Sequence, residues 1–293
     1  MAEAKRLVAP ADRGGVAWSQ TAAGRQFIEH VLLHVLLTLV GLTFMVPLFW
    51  VLSTSLKAPN RVFTYPIKWI PDPVVWSNYA DMLEILKFSG QPATLATIGT
   101  VISTAFVAYS FARLRWPERD LVFSLCLATM MLPGVVTLVP TFLIFRNLGW
   151  LDTFLPLIVP SWFGVNGFYV FLLRQFFLSL PYELEEAARV DGASSFRILW
   201  QIMMPLAGPA LAAIAIFSFL HHYNDFLGPL IYLNSNEHFT LALGLRMFQG
   251  RFGDRWPIVM AASTVMLVPP IVLFFLAQRH FIRGIQMTGL AGR

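Results

Sequence analysis

Apolar residues in this chain come in blocks rather than stripes. Runs of about 20 residues or more, the length a helix needs to cross a hydrocarbon core, alternate with polar passages. They lie at 31–53, 93–112, 121–145, 155–173, 206–233 and 257–276. The pattern predicts an all-α membrane protein: a tail over 1–29, a six-helix transmembrane domain over 30–280, and a second tail over 281–293. The loop over 57–91 carries Tyr65, Trp69, Trp76 and Tyr79, amphipathic rings suited to a membrane–water interface.

The spans differ in what they present. The second is rich in Thr, Ala, Ser and Gly, which let helices approach closely, so it should pack against neighbours rather than lipid. The third has Pro133 in its middle, which predicts a kink from a freed backbone carbonyl. The fourth carries Trp162, Asn166 and Tyr169. The fifth reads His221-His222-Tyr223-Asn224-Asp225 at mid-length, a polar cluster of the kind that faces a bundle interior or a water-filled cavity. Four-residue spacing puts His221 and Asp225 on one helix face. Two such ligands are too few for a metal site.

Composition agrees with the pattern: the chain is 57% hydrophobic and 13% charged. Charge then orients it. Of the 21 Lys/Arg, thirteen lie at the tails and the even-numbered turns if six spans start and end in the cytoplasm. The cytoplasmic side is normally the basic one. The net charge of +5 reflects that bias, not affinity for nucleic acid. A single cysteine, Cys126, allows no internal disulfide. The sequence contains no phosphate loop, no His-Glu-x-x-His and no Gly-x-Ser-x-Gly motif, so no ATP site, metal or catalytic residue is expected in the chain itself.

The passage 180–205 is the longest charged stretch between spans in the second half. Its local chemistry predicts two helices and a tight turn. Pro181 suits a first helical position, and Glu183, Glu185 and Glu186 favour a helix N-terminus. Ala187 and Ala188 give a bare helical face. Gly192 stands where a helix ends with φ > 0, and Ser194 or Ser195 can cap the next helix.

The order Glu186-Ala187-Ala188, three residues, Gly192, nine residues, Ile202, then Met204-Pro205 resembles the EAA loop of permease subunits of bacterial ABC importers. Tyr223-Asn224-Asp225-Phe226 and the tail from Gln278 to Gly284 are similar to the sugar-type, maltose-transporter-like branch. The resemblance implies a type I importer permease in the inner membrane with both termini cytoplasmic. Its partners would be a second homologous permease, two subunits that bind ATP and Mg, an external solute-binding protein, and a carbohydrate. Glu183, Glu185, Glu186, Arg189 and Asp191 would then make polar edge contacts with an ATPase, and Ala187, Ala188 and Gly192 would allow close approach. Arg283 and Gly284 would form a second coupling contact, where a basic anchor on anionic lipid is the other reading. Tyr223, Asn224 and Asp225, with Trp162, Asn166 and Tyr169, would line the path; interhelical hydrogen bonding accounts for the fifth-span cluster equally well. An ion- or proton-coupled transporter using Asp225, or a metal-dependent membrane enzyme, are the alternatives from other classes.

Overall fold

Helix is the only regular structure among the described residues, as a chain that must satisfy its backbone inside a bilayer requires. The structure, a computed structural model, describes residues 22–85, 91–163, 166–251 and 255–290, with side chains at 26–84, 91–163, 166–246 and 255–276. The chain divides into two units, residues 1–52 and 53–293. The first holds most of α1 (Ala22–Ser55), whose side chains from Val31 to Phe44 are mostly apolar and exposed on all sides. That is the surface of a membrane-crossing helix.

The second unit is built on α3 (Gln91–Arg113), which packs against α6 (Leu155–Phe163), α7 (Gly167–Ser179) and α10 (Gly208–Tyr223). The expectation for this span holds. Ala96, Gly99, Thr100, Thr104, Ala105 and Ala108 are buried along it. A Cβ on Gly99 would sit 2.5 Å from the Trp162 ring on α6, so only glycine permits this approach. Ser103 Oγ donates across the same contact to the Ser161 carbonyl at 3.1 Å. A smaller cluster joins Met82 on α2 (Ser77–Ile85), Leu241 on α12 (Leu241–Arg251), and Ile258, Ala261 and Ala262 on α13 (Trp256–Leu290). Asn78 Nδ2 donates to the carbonyls of Ser55 and Lys57 at 2.8 and 2.9 Å. One buried amide thereby satisfies two orphan carbonyls where a helix ends.

Two predicted spans are not continuous helices. In place of a kinked third span, α4 (Arg119–Ala128) and α5 (Gly134–Asn147) meet at 101°. Pro133 forces the residue before it toward extended backbone. Leu132 has ψ 119° and Pro133 ψ 130°, so the helix breaks instead of bending. The fifth block is α10, which stops at Tyr223, followed by α11 (Leu227–Tyr232). Among the described residues, Gln26–Ser55, Gln91–Arg113, Leu155–Ser179 (α6 and α7 together) and Trp256–Leu276 are long and apolar enough to cross a membrane, and up to six spans result if Arg119–Met131 with Gly134–Asn147, and Ser195–Leu206 with Gly208–Tyr223, each count as one.

Candidate functional site

The 180–205 passage folds as the predicted pair, α8 (Glu183–Val190) and α9 (Ser195–Leu206). The first helix starts two residues after Pro181, with Tyr182 as its N-cap. Gly192 has φ +80°. Its N–H donates to the Arg189 carbonyl at 3.0 Å and the Ala193 N–H to Ala188 at 2.9 Å, the crossed pair that closes a helix on a left-handed residue. Ser194, not Ser195, caps α9, accepting from the Arg197 N–H. A π turn over Leu199–Met203 precedes Pro205, which has no N–H to offer a regular turn. The pair α9 and α10 meets at 82°, so α9 runs nearly across the helix it feeds.

The side chains of α8 divide by face. Glu183, Glu186, Ala187, Arg189 and Asp191 are exposed, and Val190 is 88% exposed. Glu185 and Ala188 point the other way. The expected edge contact at Glu185 is therefore corrected, as is the close-approach role of Ala188: both are buried against the chain's own core. The cause is helical phase, since residues three apart share a face.

Glu185 sits in a cluster of charges. Its Oε1 accepts from Arg189 Nη2 at 2.8 Å and from the Tyr109 hydroxyl at 3.2 Å. Its Oε2 lies 3.9 Å from Arg113 Nε, with both side chains at most 2% exposed. Arg113 Nη2 donates to the carbonyls of Phe177 and Leu180, the last turn of α7, where a cation complements the helix dipole. The Tyr182 ring lies 4.5 Å from the guanidinium carbon. A cavity of about 560 Å³ opens beside this cluster, lined by Arg113, Arg115, Trp116, Tyr182, Glu186 and Arg189. Removing one partner from a buried pair leaves an uncompensated charge, at a cost of about 3–5 kcal/mol. Sequence reading used Arg113 only as a topological charge and missed Tyr109. The signal available was a lone Arg ending an otherwise uncharged, small-residue helix.

The path candidates do not converge. Asp225 lies in the break after α10 rather than on its face, so it does not pair along a helix with His221; its Oδ1 accepts the Gly228 N–H at 3.2 Å and helps start α11. With Ser161, His221, His222, Tyr232 and Thr240 it lines a polar cavity of about 180 Å³. Asn224 Nδ2 turns back to the Leu220 carbonyl at 2.8 Å. Tyr223 stacks on Phe219 at 5.2 Å and lines a separate, mostly apolar groove of about 780 Å³ with Gln91, Leu95, Val265 and Pro269. Trp162 covers Gly99. Asn166 caps α7, accepting from the Phe168 and Tyr169 N–H groups, and Tyr169 is buried in the core around α3. Among the described residues no three His, Cys, Asp or Glu side chains gather as metal ligands would. Arg283 and Gly284 stand on α13, but their side chains lie outside the described residues.

A second carboxylate is held in the opposite way. Asp152, between α5 and α6, accepts from the Asn234 and Ser235 N–H groups at 2.9 and 2.8 Å, from the Ser235 hydroxyl, and from His238 Nδ1 at 3.3 Å. The Ser235 hydroxyl, then the two backbone donors, hold its pKa far below the ordinary carboxylate value.

Residues 101–287 match the family described as binding-protein-dependent transport system inner membrane component. The sn-glycerol-3-phosphate transport system permease protein UgpE of Yersinia pestis bv. Antiqua is 33% identical over 266 residues, covering 86% of this chain and 94% of that protein. The arabinooligosaccharides transport system permease protein AraQ of Halalkalibacterium halodurans is 36% identical, covering 69% and 73%. The sulfoquinovosyl glycerol transport system permease protein SmoH of Agrobacterium fabrum is 32% identical, covering 84% and 88%. Among solved structures, a chain of a bacterial ABC transporter involved in import of the acidic polysaccharide alginate superposes with a TM-score of 0.73 at 26% identity, covering 89% of this chain and 98% of that one.

Proposed function

Because the chain belongs to the binding-protein-dependent transport system inner membrane components, we propose that its 180–205 hairpin couples ATP hydrolysis in partner subunits to a carbohydrate path that the chain half-builds. It is a permease subunit of a sugar-type ABC importer and makes no covalent change itself. ATP and Mg belong to two partner ATPases, a second permease completes the path, and a solute-binding protein delivers the solute. An alginate importer of the same fold has been seen with a periplasmic protein carrying an alginate pentasaccharide, which supports the last of these. Both termini face the cytoplasm in this reading, on the strength of the Lys/Arg distribution.

The observation that carries the coupling role is the division of α8. One face is buried against the core, and the other offers Glu183, Glu186, Ala187 and Val190 to solvent beside a helix that meets α10 at 82°. A capped, cross-running hairpin with an exposed mixed face is a docking element. ATP binding must favour the outward-open arrangement, and can do so only by differential affinity for the two states. Moving the balance from about 1:99 to 99:1 takes roughly 5.5 kcal/mol, which a loose hairpin would dissipate. The path reading is supported by the polar cavity at Asp225 and His222.

The test is uptake by proteoliposomes holding the assembled importer, with labelled sn-glycerol 3-phosphate and arabino-oligosaccharides as first probes. Gly192→Asp, which breaks the φ +80° turn, and Glu186→Lys should each abolish uptake while the complex still assembles. Undiminished uptake in both variants contradicts the coupling role.

A further inference from the structure

Chain connectivity alone leaves α8 free to pivot. It is joined to α7 through Leu180-Pro181-Tyr182 and to α9 through the turn at Gly192. Ala188, and Ile198, Leu199 and Met203 of α9, pack into the core around α3, and the buried charged cluster behind α8 adds polar contacts that oppose a pivot. We propose that Arg113, Tyr109 and Glu185 form a joint that makes the hairpin and α3 move as one body, Arg113 being the positioning residue; this rests on the coupling role proposed for the hairpin.

Three contacts converge on that joint from successive parts of the α7–α8 link. Arg113 Nη2 holds the Phe177 and Leu180 carbonyls, its guanidinium lies over the Tyr182 ring, and its Nε faces Glu185 Oε2 at 3.9 Å. Tyr109, one helical turn earlier on α3, donates to Glu185 Oε1. The link is therefore gripped before and after Pro181 by two side chains of a single helix. Separating the pair would leave Glu185 with Arg189 alone and would take from the buried Arg113 its carboxylate, which opposes rotation at this contact. Because α3 also packs on α6, α7 and α10, a displacement of the hairpin that carries α3 reaches the helices lining both the polar cavity and the apolar groove. Exposed Glu183 and Glu186 are left for an external partner, and the buried carboxylate is reserved for transmission within the chain.

The experiment is a pulsed spin-label distance measurement on the whole importer complex in nanodiscs, with Cys126→Ser and labels at Val190→Cys on the hairpin and Ile98→Cys on α3. Both labelled positions are exposed, at 88% and 44%. With the joint intact, one narrow distance is expected, the same without nucleotide and with ATP plus vanadate. In Glu185→Gln, which keeps the size of the side chain and removes its charge, the distance should broaden and shift on trapping. Tyr109→Phe keeps the ring contact with Phe177 at 6.2 Å and loses only the hydrogen bond; it should show the same change in smaller measure, and it decides the matter if Glu185→Gln fails to assemble. A distance that stays narrow and insensitive to nucleotide in every assembled variant overturns the joint. Intact uptake in Gly192→Asp would instead strike the coupling role of the hairpin, whatever the labels report.

Discussion

Glu185 and Glu186 are neighbours in sequence with opposite fates: one is 1% exposed inside a charged cluster, the other is open to solvent. The resemblance implied the same edge role for both, and charge at a helix N-terminus is favourable on any face. Only the phase of α8 against α3 separates them. Gly192, by contrast, was legible from its position after a helix-forming run, since a left-handed cap needs glycine wherever it points. Asp152 was invisible for another reason. Its partners lie more than 80 positions along the chain, so no local pattern announces them. Its depressed pKa gives a testable sign. A carboxylate stabilised in the folded state contributes fully above its unfolded pKa, near 3.8, and loses that contribution only as pH falls through the lower folded value. Asp152→Ala should therefore lower the melting temperature of the purified complex at pH 5 as well as at pH 8. A deficit that disappears at pH 5 would contradict this assignment.

At the scale of elements, length and hydropathy located each apolar block, and the second span's small residues forecast its burial. Breaks were harder to read. Pro133 was expected to kink one helix, yet the restriction it places on Leu132 turns the stretch into two helices at 101°. In the fifth block, Asn224 and Asp225 read as mid-helix polar residues, while the structure uses the Asp225 carboxylate to begin a new helix at the break. The α3–α6 contact makes a further prediction. Gly99→Ala would place a methyl group 2.5 Å from the Trp162 ring, and overpacking of this kind costs about 1–3 kcal/mol. The variant should melt below the parent in detergent, and adding Trp162→Leu should restore much of the loss. An unchanged melting temperature for Gly99→Ala would mean that the two helices are not closely packed there.

For the molecule as a whole, the 57% hydrophobic composition established a membrane protein, and the EAA-like spacing pointed to importer permeases. Family membership bears that out and removes the ion-coupled transporter and the metal-dependent enzyme. The carbohydrate is not written in local motifs: relatives of about 32 to 36% identity carry names for a glycerol phosphate, an arabino-oligosaccharide and a sulfoquinovosyl glycerol. The coupling role depends on which surface meets the ATPase. The most direct measurement places a photo-crosslinking amino acid at Val190, 88% exposed on the hairpin, and separately at Val135, 75% exposed on α5, in the importer within native membranes. The account predicts an adduct with an ATP-binding subunit from Val190 and none from Val135; the absence of an ATPase adduct at Val190, in a complex that still imports its solute, would contradict it.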